Sequence, residues 1–238
     1  MIRNLFCMAI VGVALSALTL SAMADTINVD FGPSDANPSG VYSGTAVAPD
    51  GGLYWNGVAA GVSFPAFNSV AFTSSALKDS NSNATGVTVT LQPTYHAGDG
   101  GDSVIAPALM HDYVFTQTDG SPFEMSIDGL ASGQSYDLYL YSGTGAQGTT
   151  FTVDGVSKNV TDPAGQTSFV QGSNYQLFSG VTATDGSISV TVAGYNAKIG
   201  VLDGLQIVGT FAVPEPSACL MTLTCVFGLL AYAWRKRS

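Results

Sequence analysis

Alternation of apolar and polar residues at every second position constrains this chain more than any other feature. Ile27, Val29 and Phe31 alternate with Asn28 and Asp30. The same period recurs in Val87-Thr88-Val89-Thr90-Leu91, Tyr136-Asp137-Leu138-Tyr139-Leu140-Tyr141, Phe151-Thr152-Val153, Ile188-Ser189-Val190-Thr191-Val192 and Leu205-Gln206-Ile207-Val208. Successive side chains of a strand point to opposite faces, so a period of two buries one face and wets the other. The runs are short and rich in β-branched and aromatic residues, which suit a pleated, half-buried surface. Glycine-bearing turns separate them: Asp119-Gly120, Asp128-Gly129, Asp154-Gly155, Asp185-Gly186 and Asp203-Gly204. Asp-Gly supplies the positive φ angles of a two-residue hairpin, and Asp154-Gly155 between Phe151-Thr152-Val153 and Val156-Ser157 is the clearest case. Many strands at this spacing predict an all-β, antiparallel β-sandwich. One short helix is expected from Ile105 to Tyr113.

Charge and cysteine usage divide the 238 residues into three parts. The formal charge is -10, yet four of the seven Lys and Arg, namely Arg3, Arg235, Lys236 and Arg237, lie near the ends. Only Lys78, Lys158 and Lys198 remain between them, so the middle is strongly acidic. Such a surface repels nucleic acid and anionic lipid, both of which need a cationic face. Cys7, Cys219 and Cys225 also lie in the end segments. The central domain therefore has no disulfide and must be held by its own core, for which residues 25–212 are long enough.

The N-terminal end carries one charge, Arg3, before an apolar core from Leu5 to Leu20 and the small-x-small sequence Ala22-Met23-Ala24. These are the parts of an export signal over residues 1–24, with cleavage after Ala24 freeing Asp25. At the other end, Val213-Pro214-Glu215-Pro216 precedes an uncharged stretch from Ser217 to Trp234 and the cations Arg235-Lys236-Arg237. As a helix, 217–234 would rise roughly 27 Å, the thickness of a bilayer core. The basic stop would keep the terminus cytoplasmic. The two prolines hold Val213 to Pro216 extended, since the residue before a proline is pushed out of the α region.

Residues 213–238 resemble the PEP-CTERM sorting signal of Gram-negative bacteria, with motif, transmembrane helix and basic tail in that family's order. The resemblance implies an exosortase as processing partner, membrane anchoring followed by surface or matrix release, and a producer of exopolysaccharide. A second, fold-level resemblance is to galactose-binding-like jelly rolls. It rests on the first stretch Ile27-Asn28-Val29-Asp30-Phe31-Gly32, the last stretch Ile199 to Val208, and the central Phe123 to Tyr141. It implies that the two ends of the domain meet on one sheet.

Candidate chemistry is sparse. Glu124 is the single glutamate of the domain, its histidines are His96 and His111, and no Gly-x-Ser-x-Gly elbow is present. Calcium, which takes carboxylate and carbonyl oxygens, is the one cofactor considered. It would use either the loop Asp99-Gly100-Gly101-Asp102 or Asp30 with Asp203, joining the first and last strands. For a glycan ligand, Tyr54-Trp55-Asn56 is the best candidate for an aromatic platform, although a tryptophan in a sandwich is more often part of the core, and Tyr95, Tyr175 and Tyr195 lie near predicted loops. The expectation is a non-enzymatic envelope protein that binds glycan. The alternatives are an adhesive, self-associating protein and a glycoside hydrolase or lyase.

Overall fold

The computed structural model describes residues 25–32, 41–49, 51–59, 67–68, 70–93, 95–99, 109–116, 121–143, 148–161, 163 and 166–211, with the backbone alone at 59, 67–68 and 95–99. Every regular element among them is a strand. The signal-cleavage residues Ala22 and Ala24, the motif Val213–Pro216, the apolar stretch 217–234 and the basic stop Arg235–Arg237 lie outside the described residues. No described helix is long and apolar enough to cross a membrane.

Two large sheets face each other. One has five strands, in the order β12 (Tyr175–Thr182), β9 (Ser135–Tyr141), β15 (Gly204–Gly209), β1 (Asp25–Gly32) and β2 (Asn56–Ala59). The other has six, in the order β11 (Val156–Val160), β10 (Thr149–Val153), β13 (Ser187–Gly194), β8 (Phe123–Asp128), β5 (Thr88–Leu91) and β4 (Phe72–Thr73). A third sheet of β14 (Val201–Leu202), β7 (Asp112–Phe115), β6 (Tyr95–Asp99) and β3 (Phe67–Asn68) packs through β7 against β1.

The alternating runs become strands for the expected reason. Ile27, Val29, Leu138, Leu140, Leu205 and Ile207 of the five-stranded sheet meet Val89, Leu91, Met125, Ile127, Phe151, Val190 and Val192 of the six-stranded sheet in one buried core. At roughly 25 cal/mol per Å² of apolar surface, each such side chain contributes about 1.5–3 kcal/mol, and together they replace disulfides. Asp154 and Gly155 take φ angles of 50° and 74° between β10 and β11, the left-handed pair of the predicted hairpin. The first and last strands pair antiparallel from Asp25↔Gly209 to Asp30↔Gly204.

Three expectations change. β1 and β2 run parallel, with Val29 opposite Asn56, so the sandwich is antiparallel except at one pair. The predicted helix does not form where it can be followed: Leu109–His111 make a turn and Asp112–Phe115 are strand β7. The apolar pair Leu109 and Met110 that suggested a helix face is buried instead over the outer side of the five-stranded sheet. Asp203-Gly204 is not a hairpin turn. Asp203 is wholly buried between β14 and β15, its N–H donating to Tyr141 O at 3.0 Å and its carbonyl accepting from Phe31 N at 2.9 Å.

Candidate functional site

The pairing register assigns the outer face of the five-stranded sheet residue by residue. Tyr141, Gly204 and Asp30 form one row across β9, β15 and β1, and Tyr139, Gln206 and Asn28 form the next. On β12, Tyr175 lies opposite Tyr141 and Leu177 opposite Tyr139. These are the polar and aromatic positions of the same alternating runs whose aliphatic positions fill the core.

Over β1 and β15 this face is covered by a strap of which residues 41–49 and 51–55 are described. Gln206 Nε2 donates to Asn28 Oδ1 at 2.7 Å, and Gln206 Oε1 accepts from Ala48 N at 3.0 Å and from the Tyr141 hydroxyl. Asn28 Nδ2 donates to Gly51 O and to Tyr54 O, while Val47 N donates to the Tyr141 hydroxyl at 3.0 Å. Asn28 and Gln206 are wholly buried, and beyond the bond between them each amide also bonds the strap. Buried amides left unpaired would cost about 1–3 kcal/mol apiece, so the ladder specifies how the strap sits.

Within that strap lies the expected sugar platform, and the structure corrects it. Trp55 is 4% exposed. Its Nε1 donates to Gly44 O at 3.0 Å, and its ring meets Tyr42 edge-on at 5.0 Å. Asn56 donates through Nδ2 to Asn28 O and Lys78 O and accepts Lys78 N through Oδ1, tying β1 to the segment beyond β4. The Tyr54 ring lies under the Lys78 ammonium at 5.7 Å. A tryptophan whose faces are packed cannot stack on a ligand, so these three residues hold the strap rather than a sugar. Tyr195 is half-buried beyond β13, and Tyr95 belongs to β6.

The other half of the face, over β9 and β12, carries a cluster of rings. Tyr139 and Tyr175 are 6.3 Å apart, Tyr141 and Tyr175 5.9 Å, and Phe169 meets Tyr141 edge-on at 5.4 Å. Tyr141 is fully buried and Tyr139 nearly so, whereas Tyr175, Phe169, Leu177 and Val208 are half-buried. Burial raises the Tyr139 hydroxyl above the usual phenol range, with Asp137 and Tyr175 adding to it. Burial raises Tyr141 further, against the hydrogen bond from Val47. Both phenols keep their protons at any physiological pH. A half-open tyrosine patch beside the strap presents flat apolar faces together with neutral hydroxyls, which is what a sugar ring requires of a binding surface.

At the same end lie buried acids. Asp30 is 2% exposed, and Asp112 and Asp203 are wholly buried. Asp30 Oδ2 accepts Tyr42 N at 2.8 Å, and its Oδ1 has no hydrogen-bond partner. Burial pushes Asp30 up to about 8, against the Tyr42 hydrogen bond, and the nearby Asp112 adds to the rise. Asp112 Oδ1 lies 3.1 Å from His111 Nδ1, and Asp203 Oδ2 accepts Gly143 N at 2.7 Å. Of the residues expected to bind calcium, the fold thus brings Asp30 and Asp203 to adjoining strand ends and adds Asp112. Asp99 ends β6 opposite Asp112, and Asp102 lies outside the described residues. Calcium takes six to eight oxygens. No group of three acid or imidazole side chains among the described residues could hold a metal ion. The orphaned Asp30 oxygen is one ligand of such a shell, not a shell.

Comparison with known proteins adds partial likenesses. No family model matches this chain, and no curated protein does. Among solved structures, a CBM35 module from Cellvibrio japonicus Abf62 shares 19% identity over 42% of this chain and 75% of its own, with a TM-score of 0.31. Xyl-CBM35, described in complex with a glucuronic acid containing disaccharide, shares 19% over 48% and 78%, with a TM-score of 0.30. TmCBM61, described in complex with β-1,4-galactotriose, shares 15% over 51% and 86%, with a TM-score of 0.29. None of the three reaches a TM-score from which a common fold follows.

Proposed function

We propose that this chain is an exported, non-enzymatic envelope protein. In this reading the sandwich binds a neutral polysaccharide on the tyrosine patch of its five-stranded sheet, and the C-terminal 26 residues address it to an exosortase. The observation that carries the binding half is the half-open cluster of Tyr139, Tyr175 and Phe169 around buried Tyr141. The three tyrosines stand on strand positions held from beneath by the core, and Phe169 packs on them from the segment before β12, so the surface is formed before a ligand arrives and loses little freedom on binding. Both phenols of the sheet remain neutral, and the acidic surroundings disfavour uronic acids relative to uncharged sugars. The sorting half is supported by the order of parts in residues 213–238 and by the export signal at 1–24.

Retention of the folded protein in gels that contain neutral exopolysaccharide tests the binding half. Tyr175→Ala should abolish most of the retardation while the protein still folds and unfolds in one cooperative transition. Wild-type protein that is folded and migrates unretarded through neutral polysaccharides overturns it.

A further inference from the structure

The open half of the tyrosine face ends in a carboxylate. Asp137 stands on the same outer side of β9 as Tyr139 and is half-buried. Two strand residues separate the Cα atoms of this pair by about 6–7 Å. On one side Asp137 faces half-buried Val208 of β15. On the other it faces an interruption of the ladder in the edge strand β12. Phe178 pairs with Leu138 and Val181 with Tyr136, so Ser179 and Gly180 together oppose Asp137. An extra residue of this kind is a β-bulge, which bends the edge and re-aims what lies beside it. Gly180 takes a φ of 70°, a left-handed value that suits glycine. Its N–H donates to Asp137 Oδ1 at 2.8 Å. The space beside Gly180 is open, since a Cβ there would have no heavy atom within 4 Å.

The bulge thus gives up a regular ladder bond, and the freed amide holds a carboxylate at the edge of the patch. Burial first, and then the charge of Asp137, raise the Tyr139 hydroxyl, so carboxylate and ring share one neighbourhood. Half-buried Leu177 lies opposite Tyr139, and Tyr175 lies one row further along the strands. An ionised carboxylate offers about four acceptor sites and no donor. Gly180 takes one of them. Two hydroxyls on adjacent carbons of a sugar ring can both donate to the remainder, and bonds to an ion are roughly twice as strong as neutral ones. A ligand lacking one of that pair leaves the acceptor unmatched, which discriminates more sharply than apolar contact does.

We propose that Asp137 is a specificity-determining residue of the tyrosine patch and accepts from two adjacent hydroxyls of the sugar unit beside Tyr139. The inference rests on the glycan-binding reading above and narrows its ligand. The polysaccharide lies along β9 and β12, one unit on Tyr175 and another at Asp137, and its internal units keep a free vicinal diol. Chains linked through C4 or C6 keep that pair on C2 and C3. Chains linked through C3 keep none.

Electrophoresis of the full-length protein in detergent, through gels containing glucomannan (linked through C4), dextran (through C6) or laminarin (through C3), tests this. Retardation should be at least about tenfold stronger in glucomannan or dextran than in laminarin. Asp137→Asn keeps a carbonyl oxygen for Gly180 N and should lose that preference, with weak binding to laminarin unchanged. Tyr175→Ala should weaken binding to all three. The comparison of linkages uses wild-type protein, so a folding defect in a variant cannot hide the answer. Wild-type protein retarded by none of the three overturns the glycan reading and this inference with it. Retardation by laminarin that equals or exceeds the other two, or an Asp137→Asn protein that keeps the wild-type preference, removes the role of Asp137 and leaves the tyrosine platform standing.

Discussion

Gln206 donates to Asn28 across adjacent strands at 2.7 Å, and the covering of the β1 and β15 half of a sheet face depends on that bond. Each amide uses its remaining groups on the strap, Gln206 on Ala48 and Asn28 on Gly51 and Tyr54. Replacing Gln206 by Leu keeps approximate volume but strands the Ala48 N–H, the Tyr141 hydroxyl and the Asn28 carbonyl. We expect a loss of about 2–4 kcal/mol in urea unfolding. Limited proteolysis should open first within 41–55. A variant cut elsewhere, or as stable as wild type, would show that the strap does not hang on this ladder.

Trp55 and Tyr175 should separate cleanly. Trp55→Ala empties a buried site and should cost about 3–5 kcal/mol. Tyr175→Ala removes a half-buried ring with two aromatic neighbours and should cost about 1–2 kcal/mol. Affinity for a neutral polysaccharide should fall at least about tenfold in the Tyr175 variant, equivalent to about 1.4 kcal/mol. The reverse ranking in stability, read from denaturant midpoints, would refute the placement of both rings.

The pH dependence follows from Asp30. Its native carboxyl binds a proton up to about 8, whereas the unfolded chain releases it near 3.8. Folding is therefore penalised increasingly as the pH rises from the lower value to the higher, and the penalty levels off beyond it. Unfolding midpoints should decline across that window, and Asp30→Asn should flatten the decline. An unchanged slope in the variant would assign it to another group.

Acid acts through Asp79 in the opposite sense. Its native carboxyl sits below the usual range, so its contribution is complete above the unfolded value near 3.8 and disappears as the pH falls through the lower native one. Asp79→Asn should blunt the loss of stability in that acid window while leaving the slope between neutral and alkaline pH alone. Circular dichroism melts at stepped pH read both windows in one series.

Gly209→Ala should be costlier than an exposed glycine change, because the new methyl meets the Tyr136 ring rather than solvent. Overpacking of this kind costs about 1–3 kcal/mol. Gly86→Ala, at such an exposed glycine, meets nothing and needs no left-handed backbone. Comparing the two thermal midpoints isolates the steric part.

The sandwich was legible because its aliphatic alternation reports one sheet face directly. The strands of the alternating runs and the Asp154-Gly155 hairpin follow from local pattern and turn chemistry, whereas the pairing of first with last strand was implied only by the jelly-roll resemblance. The site was less legible because it occupies the opposite parity of the same runs. Asp137, Tyr139 and Tyr141 alternate with Leu138 and Leu140, and a ring at the nominally wet positions marks a face that something covers. That signal was present in the sequence. What covers it depends on Gln206 meeting Asn28, a contact between distant segments that carries no local pattern. Trp55 misled for a related reason: flanking Gly51-Gly52 and Asn56 looked like an exposed loop, yet those residues are the strap's attachment points. Asp112 escaped notice because its partner Asp30 is brought near only when β7 packs on β1.

The parallel neighbour of β1 and its antiparallel one arrive at very different times. β2 follows closely in the chain, whereas the Asn28–Gln206 bond joins residues 178 positions apart. Domains dominated by such distant pairings have high contact order and fold in milliseconds to seconds rather than microseconds. A newly made chain of this kind holds β1 paired on one side alone until β15 is delivered, so the five-stranded sheet closes last at the seam between its first and last strands.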